Sequence, residues 1–123
     1  DEIELGMGIH GEPGIWRDKL KPADEITNEM VDRLMAEKPG NAGDRVAVLV
    51  NSLGATPLEE LFIIYRKLAS KLGEAGNKIS IPMVGPYVTS MEMQGASISV
   101  CFLDDELERL LKVPASCPFW TVK

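Results

Sequence analysis

A single histidine, His10, occurs in the 123-residue chain, inside the glycine-rich run Gly6-Met7-Gly8-Ile9-His10-Gly11-Glu12-Pro13-Gly14. Imidazole can be neutral, nucleophilic and a proton carrier near pH 7, and glycine neighbours leave it uncrowded. A metal site needs further ligands, for which Glu12 alone is a weak complement. A Ser-His-Asp relay needs a serine on a nucleophile elbow, and no such motif is present. Gly6-x-Gly8-x-x-Gly11 after a strand matches the dinucleotide fingerprint literally. There, however, a helix must begin at the glycines to hold the pyrophosphate. Here Pro13 and Gly14 follow instead, and no acidic residue ends a second strand at the expected distance. Two readings of His10 remain: a nucleophile, acid or base acting on a small molecule, or a histidine satisfied by hydrogen bonds within a turn.

Other polar groups fall near the ends of expected strands. Asn51-Ser52 and Thr89-Ser90-x-Glu92 could shape a site, and turn and capping chemistry also explains them. The amides opening a helix after Thr56 could hold an anion or simply be capped. The chain has no Gly-Lys-Ser/Thr phosphate loop.

The net charge of −6, with basic residues scattered singly, argues against a nucleic-acid backbone or an anionic membrane as partner. No apolar run approaches the roughly 20 residues a membrane helix needs, and no signal-like segment opens the chain. The two cysteines, Cys101 and Cys117, form neither a disulfide framework nor a CxxC metal site. Cys101 reads as a small buried hydrophobe, and a cytoplasmic protein is the default expectation.

The elements around His10 follow from periodicity. Residues 2–8 alternate as a strand with one buried face, Gly11–Gly14 turns the chain, and Trp16 to Pro22 reads as a loop. Pro22, then Asp24 and Glu25 in a first turn, open a helix to about residue 37. Its stripe is Ile26, Met30, Val31, Leu34 and Met35, and Pro39-Gly40 stops it. Val46–Val50 is apolar on both faces, as in a central strand. Thr56, Pro57 and Glu59 spell a capping box for a helix ending near Gly73, with Leu58, Leu61, Phe62, Tyr65, Leu68 and Leu72 buried. Lys78–Val84 is a strand whose Pro82 places it at an edge, an end or a bulge. Thr89–Met93 suits one helical turn. Ala96–Leu103 alternates as a strand, Asp104 to about Lys112 is a short helix, and Phe119–Val122 a last strand.

Two successive strands, 78–84 and 96–103, exclude a purely parallel sheet. The expected fold is one α/β domain over residues 1–123, a two-layer unit with a mixed β-sheet packed by about three helices. Three helices are few for both faces of about five strands, so the second face is expected to meet another domain or subunit. The first residue is Asp1 and a strand follows almost at once, which suits a fragment of a longer protein.

Three stretches together carry a family resemblance. Glu4-Leu5-Gly6-Met7-Gly8-Ile9-His10-Gly11-Glu12-Pro13-Gly14 resembles the glycine–histidine signature of the dihydroxyacetone kinase K subunit. Val50-Asn51-Ser52-Leu53-Gly54-Ala55-Thr56-Pro57-Leu58-Glu59-Glu60-Leu61 and the run from Gly85-Pro86-Tyr87 through Met91-Glu92-Met93-Gln94-Gly95 to Ser99 resemble two further motifs, in the same order. The resemblance implies part of the second of two α/β domains, with a first domain of the same chain preceding it. It implies that His10 captures dihydroxyacetone, or a similar short ketose, as a covalent hemiaminal, with Gly8, Gly11 and Glu12 around the substrate. It also implies that ATP or ADP with magnesium binds in a partner L subunit or domain, and that no cofactor or metal binds this chain. A homodimer, and no activity of this stretch alone, follow in the same way. A phosphotransferase M subunit fed by phosphoenolpyruvate is the alternative donor. K-like transcriptional coactivators and tetrulose kinases share the signature.

Overall fold

The computed structural model describes all residues, Asp1–Lys123. Its centre is a three-stranded mixed sheet of β3 (Arg45–Ser52), β4 (Lys78–Gly85) and β5 (Ala96–Phe102) in the order β4-β3-β5. The middle strand pairs parallel with β4 and antiparallel with β5. Helices α1 (Ala23–Ala36) and α2 (Leu58–Glu74) cover one face. Period two turns Val46, Val48 and Val50 toward them, where they close with Val31, Leu61, Leu68, Leu72 and Ile98 into one core. Along β4 the phase would fail, because Ile79 and Val84 both pack on that core. A register shift opposite Val46/Ala47 resets it. Pro82 lies on this edge strand, where its missing N–H does no harm.

Two ribbons flank the layer. β1 (Glu2–Leu5) pairs antiparallel with β2 (Trp16–Lys19), and β6 (Ala115–Cys117) pairs with β7 (Trp120–Val122). The short helix α3 (Asp105–Leu111) begins at Asp104, whose side chain accepts from the Leu107 amide. Around Glu108, hydrogen bonds from Lys112 and Ser80 and the charge of Arg45 hold the carboxyl down at about 2, against the cost of partial burial. These contacts fasten α3 to β3 and β4.

The mixed α/β architecture with three helices agrees with the sequence, and several details do not. The first strand ends at Leu5, not residue 8, and Trp16–Lys19 is its partner strand rather than a loop. The strands form three separate sheets instead of one of about five. Both Pro22 and Pro57 cap their helices, in extended conformation at Pro57, and no side chain completes the capping box expected from Thr56 and Glu59. Leu58 and Phe62 lie about half exposed at the margin of α2. Residues 89–93 form no helical turn; Met93 instead bridges Gly54. Cys101 is exposed, because its phase on β5 points away from the helices. On that second face, Trp120, Thr121 and Val122 lie across Ala47, Leu49, Ile81 and Met83 around a cavity of about 490 Å³. The chain's own C-terminal ribbon therefore covers part of the face that strand counting leaves bare.

Candidate functional site

His10 sits in the loop 6–15 between β1 and β2. Register fixes the loop's base, since Leu5 opposes Trp16 and the Ile15 amide donates to the Leu5 carbonyl at 2.7 Å. Inside the loop, the Gly8 amide donates to the Glu12 carbonyl at 3.1 Å and the Gly11 amide to the Gly8 carbonyl at 3.0 Å. Gly11 has φ +86°, a left-handed conformation costly for residues with a Cβ, so glycine is required to turn the chain directly after His10.

The imidazole is 86% exposed and the Glu12 side chain 60% exposed. One Glu12 oxygen, Oε2, accepts from the His10 backbone amide at 3.1 Å. The other, Oε1, lies 3.8 Å from Nδ1 of the ring. The second ring nitrogen, Nε2, has no hydrogen-bond partner in the chain. A group so placed can add to an electrophile, with a carboxylate beside the nitrogen that does not attack.

Glu4 was missed as a contributor, although the glycine–histidine signature begins with it. Its Oε1 accepts from the Gly14 amide at 2.7 Å and its Oε2 from Arg17 Nε at 2.8 Å. The Gly14 amide, followed by the Arg17 charge and hydrogen bond, holds the Glu4 carboxyl below its ordinary range, against a cost of partial desolvation. The ribbon is in turn moored to α1. The Arg33 guanidinium stacks 3.8 Å over the Trp16 ring, and Lys21 reaches Asp18 at 2.7 Å and Glu29 at 2.5 Å; both carboxylates raise the Lys21 pKa.

The structure brings together two of the three signature stretches, and His10 is not with them. Asn51, buried at the end of β3, donates from Nδ2 to the Val88 carbonyl at 2.7 Å and to Ser97 Oγ at 3.3 Å. Its Oδ1 accepts from the Tyr87 and Val88 amides at 2.8 and 2.9 Å. Backbone bonds from Leu53 to Gly95, Ala55 to Met93 and Ser90 to Leu53 close the seam. Ser52 Oγ donates to the Thr56 carbonyl and accepts from the Gly54 amide. These polar groups are therefore engaged in joining loops 53–57 and 86–95. No hydrogen bond or ion pair links them to loop 6–15.

Comparison with known proteins places these features. Residues 1–119 match the sequence profile of the Dak1 domain. The chain is 46% identical over 121 residues to the dihydroxyacetone-binding subunit DhaK of PTS-dependent dihydroxyacetone kinase 2 from Listeria innocua, aligning 98% of itself with 37% of that protein. It is 44% identical over 118 residues to an L-erythrulose 1-kinase of Mycolicibacterium smegmatis, covering 93% of itself and 21% of the relative. The solved structure of the dihydroxyacetone kinase operon co-activator Dha-DhaQ superposes with a TM-score of 0.83 at 34% identity, over 93% of this chain and 36% of the other. The chain thus spans between about a fifth and two fifths of the relatives it matches. On this match along nearly its whole length, the chain belongs to the Dak1 domain family.

Proposed function

We propose that this chain is the ketone-capturing part of a dihydroxyacetone kinase K subunit, a portion of its second domain, with His10 as the nucleophile. The single observation that carries the reading is His10 itself, presented by a glycine-shaped loop with Nε2 open to solvent in a chain of the Dak1 family. In the step proposed, the Nε2 lone pair forms a bond to the ketone carbon and the C=O pair moves onto oxygen. That oxygen takes a proton, and Nδ1 gives one up, leaving a neutral substituted ring and a hemiaminal. Glycerol has no carbonyl to receive the bond, so the step selects short ketoses over polyols of similar size. It also fixes which terminal hydroxyl faces the phosphoryl donor. Gly8, Gly11 and Glu12 form the near wall of the substrate site, and the preceding domain supplies the rest. The nucleotide and magnesium belong to a partner L subunit or domain.

The test uses the complete protein, labelled with 15N-histidine and mixed with dihydroxyacetone carrying 13C at its central carbon. We expect a one-bond carbon–nitrogen coupling that disappears in His10→Ala, and better competition by glycerol in that variant. Labelled ketone that binds with no coupling to histidine overturns the hemiaminal. Similarity to an operon co-activator supports a second reading, a ligand-binding regulator. Capture at His10 with no phosphorylated product when the L partner and donor are added favours it. Similarity to an erythrulose kinase makes tetruloses the first alternative substrates to compare.

A further inference from the structure

The two hydrogen bonds inside loop 6–15, Gly8 amide to Glu12 carbonyl and Gly11 amide to Gly8 carbonyl, fold the chain so that Glu12 comes back over both Gly8 and His10. A Cβ on Gly8 would lie 2.8 Å from Glu12 Cβ and 2.6 Å from its carboxyl carbon. No side chain fits there unless the Glu12 carboxylate swings away and the loop also shifts its Cβ. Gly8 is absent from the glycines with positive φ, so its backbone does not require glycine; the Glu12 side chain does. The carboxylate so admitted uses Oε2 to accept from the His10 amide and turns Oε1 toward Nδ1. A separation of 3.8 Å is longer than a hydrogen bond, a spacing common before a ligand closes a site.

From this geometry we infer that Glu12 is the positioning residue of His10 and that Gly8 is glycine to make room for it. Glu12 holds the ring as the Nδ1–H tautomer, leaving the Nε2 lone pair free, and it faces the proton that Nδ1 releases as the adduct forms. A carboxylate or carbonyl on one ring nitrogen sets the tautomer and raises the basicity of the other. The glycine at position 8 is then not clearance for the substrate, and the Glu12–Gly8 pair acts as one unit. The inference deepens the hemiaminal reading and rests on it for its functional consequence.

The ring's tautomer is read from the histidine 15N shifts of the complete protein without ketone, with the His10 signal assigned by its loss in His10→Ala. We expect Nδ1–H in the native protein and in Glu12→Gln, whose amide oxygen still accepts. Glu12→Ala should revert to the mixture of free imidazole, and Gly8→Ala should do the same by expelling Glu12. Unchanged tautomer populations in Glu12→Ala overturn the inference, whatever the ketone does. With 13C-labelled dihydroxyacetone, Glu12→Ala should lower adduct formation about tenfold, the lower end of what loss of a histidine-orienting partner costs at metal sites. The double variant Gly8→Ala/Glu12→Gly, which also removes the Cβ that would meet Ala at position 8, should be no worse than Glu12→Gly alone. A double variant that falls further, with the two losses multiplying, makes Gly8 a substrate-clearance position and overturns that part. Native protein that forms no adduct fails the hemiaminal reading instead, and the tautomer experiment stands apart from it.

Discussion

Both carboxylate oxygens of Glu4 are engaged in closing the His10 loop, one on the Gly14 amide and one on Arg17. This side chain bridges the strand that enters the loop and the strand that leaves it, so its charge state sets how firmly His10 is presented. Its folded-state pKa lies below the ordinary 4.5, through the Gly14 amide first and Arg17 after it. A depressed carboxylate stabilises the fold fully above its unfolded pKa and loses that contribution as pH falls through the lower, folded value. Protection of the Gly14 amide is therefore expected to hold above about pH 4.5 and to decline below it, in a titration followed by proton–nitrogen spectra. Glu4→Gln should flatten that titration while keeping an acceptor for Gly14. Glu4→Ala removes both contacts and should slow ketone capture in the complete protein by up to about 10²-fold, the scale on which ~1 Å of misplacement acts. A Gly14 titration that survives in Glu4→Gln assigns it to another group and removes Glu4 from this role.

At the scale of elements, Asn51 decides where the loops at the C-terminal end of β3 go. It is buried and satisfied on every polar atom, toward Tyr87, Val88 and Ser97. Asn51→Leu would leave the Tyr87 and Val88 amides and the Val88 carbonyl, all only part-buried, without this partner, at up to about 1–3 kcal/mol each. The expected outcome is a lower urea midpoint and faster amide exchange over residues 86–95, with ketone capture at His10 unchanged, since no hydrogen bond joins the two regions. A loss of capture with unchanged exchange would place Asn51 in the site. The same seam explains what was legible in the sequence. Valines at 46, 48 and 50, leucines at helical spacing in α2 and Pro82 on an edge all act through local period and backbone chemistry, and each element stands where the pattern puts it. Thr89–Met93 looked like a helical turn because its local polar pattern suits one. The Ser90 amide and the Met93 carbonyl are in fact taken by Leu53 and Ala55, far away in sequence. Trp16–Lys19 has one apolar residue, and a ten-residue glycine-rich connection separates it from β1, outside the two-residue turns that announce hairpins. At Thr56-Pro57 either residue can cap a helix, and the extended ψ of 162° at Pro57 shifts the start by one. Glu12 was legible as the neighbour of His10, but its contact with Nδ1 and the role of Glu4 depend on how the loop closes, which spacing alone does not fix.

Across the whole molecule, the residues that hold His10 and those that hold the fold are different sets. The eight residues of the central cluster come from α1, α2, β3 and β5, and of the β1–β2 and β6–β7 ribbons only Leu5 is buried. A two-stranded ribbon is marginal by itself in water, and β1–β2 is held to the rest largely by Arg33 on Trp16 and by Lys21 between Asp18 and Glu29. Regions with few buried apolar contacts open at a lower free energy than the core. Amide exchange in the complete protein should therefore separate the two. Residues 2–5 and 16–19 should exchange through a local opening, and β3 only through an opening close to global unfolding. Arg33→Ala removes a cation–π contact of about 0.5–1 kcal/mol at an exposed site. It should speed exchange in the ribbon severalfold and leave β3 untouched. Dihydroxyacetone bound at His10 should do the reverse, slowing the ribbon and leaving β3 unchanged, because a ligand stabilises the region whose folded form it needs. One opening free energy shared by the ribbon and β3 would mean a single cooperative unit. The ketone's effect would then spread over both, and His10 would be presented by the core rather than by a ribbon moored to it.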